Sequence, residues 1–140
     1  IRDSPKWMYF EYLENIFRRL PKTVLGSDRI WMTLAAYNVG LGHLEDARVI
    51  TEKHGANPNY WSDVKKYLPL LRVKKFYKKT KYGYARGNEP VKYVARIQAY
   101  LNVIYDEEKS HLAALSFKKI FNNWRAFFLK NTSVEFWSVI

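Results

Sequence analysis

The stretch Ile30-Trp31-Met32-Thr33-Leu34-Ala35-Ala36-Tyr37-Asn38-Val39 constrains the fold more than any other. Read at helical period, Ile30, Leu34 and Tyr37 form one stripe, and Trp31, Ala35 and Asn38 form a second. A helix apolar nearly all round has no face to give to water, so it is expected at the centre of a helical domain. Its small Ala35 and Ala36 allow neighbouring helices to approach closely. Asn38 on this helix is expected to need partners, because a buried amide without them is costly. Ser27-Asp28 is read as the cap that opens the helix, and Gly40 and Gly42 as the residues that break it.

The remaining segments fit around this centre as further helices. Ser4-Pro5 reads as a capping hydroxyl followed by Pro at a first helical position. Phe10, Leu13, Phe17 and Leu20 then recur at helical spacing, Glu14 and Arg18 pair one turn apart, and Pro21 ends the helix. A third helix is expected from about Leu44 to His54, closed by Gly55, and a short one from Ser62 to Tyr67 before Pro69. Asn88-Glu89-Pro90 opens a long helix with stripe residues Tyr93, Ile97, Tyr100 and Ile104, with Val94 and Leu101 beside them. After Asp106-Glu107-Glu108, Ala113, Phe117, Ile120, Trp124 and Phe127 mark a last helix. With neither a repeat nor a convincing strand pattern, the expected class is all-α.

Composition narrows the partners. Hydrophobic residues at 48% and charged residues at 26% are the proportions of a folded chain, and 140 residues suffice for one core. The net charge of +11 calls for anionic surroundings: nucleic acid, an anionic membrane surface or an acidic cell wall. Aromatic residues at 17% suit either a thick core or a surface on which flat rings and sugars stack. From Lys65 to Lys81 there are eight Lys or Arg and no acid, interleaved with Tyr67, Phe76 and Tyr77. That run reads equally as a solvated loop or as a groove wall facing an anionic polymer. The absence of Cys excludes disulfides, thiolate metal sites and cysteine nucleophiles. His43, His54 and His111 lack metal-ligand spacing, and no phosphate-binding loop or nucleophile elbow occurs. Neither metal nor cofactor is expected. The opening Ile1-Arg2-Asp3-Ser4 reads as the start of a fragment or a processed piece.

The informative pair of segments is Ala35-Ala36-Tyr37-Asn38-Val39-Gly40 and, about fifty residues on, Glu89-Pro90-Val91-Lys92-Tyr93-Val94-Ala95-Arg96-Ile97. The first delivers a Tyr and an Asn to a helix end at a Gly turn, and the second displays a Tyr near a helix start. Rings and an amide converging at helix termini make a plausible sugar site. The order Ala-Tyr-Asn-x-Gly then Tyr-Val-x-x-Ile resembles two motifs of the soluble lytic transglycosylase family, related to goose-type lysozyme. Gly42-His43-Leu44-Glu45-Asp46-Ala47-Arg48, Trp61-Ser62-Asp63-Val64-Lys65, Leu68-Pro69-Leu70-Leu71 and Tyr82-Gly83-Tyr84-Ala85-Arg86-Gly87 extend the resemblance to its membrane-bound F subgroup. Together they cover roughly residues 1–105, leaving 106–140 as a C-terminal helical extension.

The resemblance implies a lysozyme-like helical domain, truncated at its N-terminal side, that binds the glycan strands of peptidoglycan. It places Asn38 on N-acetylmuramic acid or the glycosidic region, Tyr93 near the catalytic acid, Tyr37 in the groove lining and Gly40 at the backbone turn. Glu89 matches an acid at the helix start and is read as structural. The family's catalytic acid is a Glu in a Glu-Ser motif, upstream of a Gly-Leu-Met or Gly-Leu-Gln motif. This sequence contains neither motif, so no catalytic residue is assigned. The implied setting is the bacterial cell envelope on its periplasmic side, with outer-membrane association. The alternatives are a non-catalytic wall-binding protein and a basic helical nucleic-acid-binding module, though the motif order argues against nucleic acid. The basic, aromatic stretch Phe117 to Phe128 is read as a packed helix, with peripheral membrane contact as the other option.

Overall fold

The computed structural model describes residues 5–106. Six α-helices and one 3-10 helix make up that part, with no strand among the described residues: α1 Lys6–Arg19, α2 Gly26–Val39, α3 Leu41–Lys53, α4 Trp61–Tyr67, a 3-10 turn Leu68–Arg72, α5 Lys74–Tyr77 and α6 Asn88–Asp106. The all-α expectation is met. The helix expected after Asp106 lies outside the described residues.

Helix α2 occupies the centre, packing against α1, α3, α4 and α6. Met32, Leu34, Ala35 and Ala36 are almost wholly excluded from solvent, and Thr33 is satisfied by the Arg29 carbonyl at 2.7 Å. Around it Leu13, Ile16, Leu20, Leu44, Ile50, Val64, Leu68, Leu71, Val94 and Ile97 complete one core. Fully burying a side chain of this size contributes about 1.5–3 kcal/mol, which is why the helix without a polar face organises the rest. Two expectations fail at its edges. Asn38 is exposed rather than buried, because the last turn of α2 emerges at the surface. Tyr100 of α6 is also exposed, at 37%, one turn beyond the buried Tyr93 and Ile97.

The helix ends follow local chemistry, with corrections. Helix α1 stops at Arg19, and Leu20 is extended (φ −61°, ψ 144°), since a residue preceding proline avoids the helical region. Pro5 is the flanking residue of α1 rather than its first helical one, and Ser4 lies outside the described residues. The Ser27-Asp28 cap does not form. Helix α2 begins at Gly26 without a side-chain cap, and Asp28 accepts the backbone N–H of Trp61 at 2.8 Å, tying α2 to α4. Arg29 closes the far end of α1 instead. Its guanidinium donates to the carbonyls of Phe17 and Leu20 (2.9 Å) at the end of α1, where a helix terminus leaves carbonyls without partners, and to those of Pro21 (2.7 Å) and Val24 (3.2 Å) in the following loop. Gly40, at φ 95°, does break the chain between α2 and α3. Gly42 does not; it lies in the first turn of α3, where a Cβ would meet the Tyr82 ring at 2.8 Å.

The segment from Lys74 to Gly87 forms a built loop laid across α3. The buried Asp46 carboxylate accepts the N–H groups of Lys81 (3.1 Å) and Tyr82 (2.8 Å). Ala85 N–H donates to the Leu71 carbonyl at 3.1 Å, and the Thr80 hydroxyl bridges Tyr77 and Gly83. These anchors carry the chain to the start of α6.

Candidate glycan-binding site

The C-terminus of α2 and the N-terminus of α6 meet, and the predicted site residues divide between two sides of that junction. On one side Tyr37 and Tyr93 stack with ring centroids 6.3 Å apart and planes 24° from parallel, and Tyr12 of α1 leans on Tyr37 at 5.8 Å. Such spacing is that of a favourable aromatic pair. On the other side an open cavity of about 470 Å³ is lined by Asn38, Val39, His43, Tyr84, Ala85, Arg86 and Glu89. That volume falls within the range of small-molecule sites. Asn38 therefore lines the cavity, whereas Tyr37 and Tyr93 are not among its lining residues and pack against each other. Gly40 sits at the turn, where a Cβ would come within van der Waals contact of the His43 ring.

Burial sets the chemistry of the tyrosine pair. It raises the Tyr93 phenol far above its ordinary range, with the neighbouring Tyr37 adding to the effect. Tyr37 is raised by burial, then by Tyr9 and Tyr12. Both phenols therefore stay protonated at neutral pH and do not act as bases. The sign of the linkage follows. Below the ordinary tyrosine pKa near 10 both states are neutral and the contribution of Tyr93 is complete. Above it the unfolded chain ionises first, and stability falls by up to about 1.4 kcal/mol per pH unit through Tyr93. Urea unfolding at pH 9 to 11 should show a shallower loss in Tyr93→Phe than in the parent. Parallel profiles would contradict the burial argument.

The cavity contains residues that pattern reading did not assign to a site. His43 packs edge-on to Tyr82 at 6.2 Å, and its Nδ1 is buried without a hydrogen-bond partner. Tyr84, half exposed, meets Tyr77 edge-to-face at 5.7 Å. Glu89 and Arg86 are exposed at the rim. Tyr82 to Gly87 carried a family resemblance but no role, because no local periodicity tells that a loop thirty-five residues beyond Asp46 returns to α3. The remaining nearby acids are engaged: Glu45 pairs with Arg48 at 2.7 Å, and Arg48 also holds the Pro58 carbonyl and the Asn59 side chain.

No protein-family model matches the chain. Curated relatives do. Membrane-bound lytic murein transglycosylase F of Idiomarina loihiensis is 53% identical over 102 residues, 72% of this chain and 22% of the relative. The proteins of the same name from Shewanella frigidimarina and Saccharophagus degradans are each 54% identical over 93 residues, 66% of this chain and 20% and 19% of those relatives. The chain thus spans about a fifth of the length of the curated relatives it matches. At this identity the matched two thirds of the chain belongs to the lytic transglycosylase family, as a homologue of part of membrane-bound lytic murein transglycosylase F.

Proposed function

We propose that this chain forms the glycan-binding side of a peptidoglycan lytic transglycosylase domain in the bacterial cell envelope, on its periplasmic side. The observation that carries this reading is the cavity where Asn38, on the last turn of α2, faces Glu89, on the first turn of α6. The amide supplies a donor and an acceptor to a sugar, Tyr84 supplies a ring, and the Tyr37–Tyr93 stack ties the last turn of α2 to the first turns of α6. The relatives' name supports murein as the polymer. In the full reaction a carboxyl protonates the glycosidic oxygen, then takes the proton of the C6 hydroxyl so that a 1,6-anhydro ring closes without water. The residues described here orient the strand for that acid. Among the described residues no helix is long and apolar enough to cross a membrane; membrane contact through the stretch 117–128 is outside the described residues.

Asn38→Ala should weaken binding of peptidoglycan fragments several-fold. One hydrogen bond between neutral groups contributes about 0.5–1.5 kcal/mol, and the exposed position spares the fold. Calorimetric titration with glycan oligomers checks it. Equal affinity in parent and variant, or tighter binding of duplex DNA than of glycan, would sink the reading.

A further inference from the structure

We propose a second binding site beside the glycan cavity: a cationic pocket that takes a short carboxylate-bearing peptide, of the kind attached to the muramic sugars of peptidoglycan. It rests on the peptidoglycan reading above and adds to it the peptide part of the substrate. The pocket, about 290 Å³, lies between α3 and the α5 loop. Ile50 and Phe76 give it an apolar floor, and Lys53, Lys75, Lys79 and Lys81 stand around it. All four lysines are exposed. The ion pairs among the described residues are Arg18–Glu14, Arg48–Glu45 and Lys66–Asp63, so none of the four has a carboxylate partner there. Asp46, the acid in the lining, is buried and holds the backbone N–H groups of Lys81 and Tyr82.

Four ammonium groups around one concavity repel each other, though water screens the effect enough for the fold to tolerate it. A ligand carrying several carboxylates removes that repulsion and gains charge-assisted hydrogen bonds. The apolar floor favours an anion with an aliphatic body over a bare inorganic ion. A concave shape favours a discrete ligand over a flat lipid surface. Position gives the third argument. Tyr82 touches a residue of each cavity: its ring packs edge-on against His43, which lines the glycan cavity, and its N–H is held by Asp46, which lines the cationic pocket. His43 and Asp46 are three residues apart on α3, about 4.5 Å along the helix axis. An extended peptide advances about 3.3 Å per residue, so a stem leaving a sugar at Asn38 reaches the lysines within its first few residues.

The test compares four probes on the 140-residue chain by calorimetry or fluorescence anisotropy: a synthetic acidic tetrapeptide, the same peptide amidated at its carboxyls, a peptide-free glycan oligomer and phosphatidylglycerol vesicles. The parent should bind the acidic peptide, with affinity falling as salt rises, and should bind the amidated form at least tenfold more weakly. Lys79→Gln combined with Lys81→Gln should weaken the acidic peptide tenfold or more while glycan affinity stays within twofold. Lys53→Gln with Lys75→Gln should repeat the result, and an unchanged circular dichroism spectrum confirms that each pair folds. Unchanged peptide affinity in both pairs, or equal binding of the amidated peptide, overturns the site. So does vesicle binding that the lysine pairs abolish while peptide binding persists, since the lysines then serve a lipid surface. Any of these with glycan binding intact overturns this site alone. Absence of glycan binding by the parent overturns the reading it rests on, and the site with it.

Discussion

Incubated with purified peptidoglycan, the 140-residue chain is expected to release no 1,6-anhydro muropeptides. The reaction uses one carboxyl twice, first as acid and then as base, and each proton transfer is worth typically about 10²–10⁴-fold. Losing both lowers the rate by roughly 10⁴–10⁸-fold, beyond detection. The acids near the cavity are placed for other work. Asp46 is buried under the loop it anchors, Glu45 is paired with Arg48, and Glu89 stands exposed at the start of α6. An acid for this chemistry needs a sheltered setting that favours its protonated form, within hydrogen-bond reach of the leaving oxygen. No Glu-Ser pair occurs in the sequence. A fusion supplying a family segment with that motif should restore product, and changing its Glu to Gln should remove product again. Mass spectrometry of the digests reads both. Anhydro products from the chain by itself that vanish in Glu89→Gln would make Glu89 the catalytic acid.

Gly87→Ala should be the most damaging single methyl group in the described fold. A Cβ at Gly87 would lie 1.8 Å from the carbonyl oxygen of Leu68 and 2.5 Å from its carbon. Both are backbone atoms of the 3-10 turn, and Leu68 is fully buried, so neither side can yield cheaply. We expect a loss of about 3 kcal/mol or more, at the upper end for overpacking. For a chain of this size that lowers the melting temperature by roughly 10–20 °C. Gly42→Ala makes the useful contrast. Its new Cβ would meet the Tyr82 ring at 2.8 Å, but that ring is half exposed and can swing outward. The Gly42 variant should lose about 1 kcal/mol or less, and adding Tyr82→Ala should recover most of it. Thermal unfolding followed by circular dichroism separates the two; similar losses at both glycines would show that the close approach at Leu68 is not what constrains Gly87.

The sequence by itself determined the helical class, the central place of α2 and the approximate bounds of the helices. Periodic apolar residues and proline or glycine punctuation are local signals, and the physics that reads them acts within one or two turns. The motifs Ala-Tyr-Asn and Tyr-Val-x-x-Ile likewise identified the family without coordinates. Tertiary structure decided what those signals cannot carry. It set Asn38 at the surface although the pattern placed it on a buried helix, because exposure depends on where neighbouring helices end. It drew Asp28 away from its expected capping role to hold Trp61, a residue thirty-three positions on, and left Arg29 to close α1. It folded the basic run back onto α3 through Asp46, which turned an undecided charge cluster into a pocket with a floor. Each of these depends on contacts between distant parts of the chain, whose geometry is fixed only when the core closes.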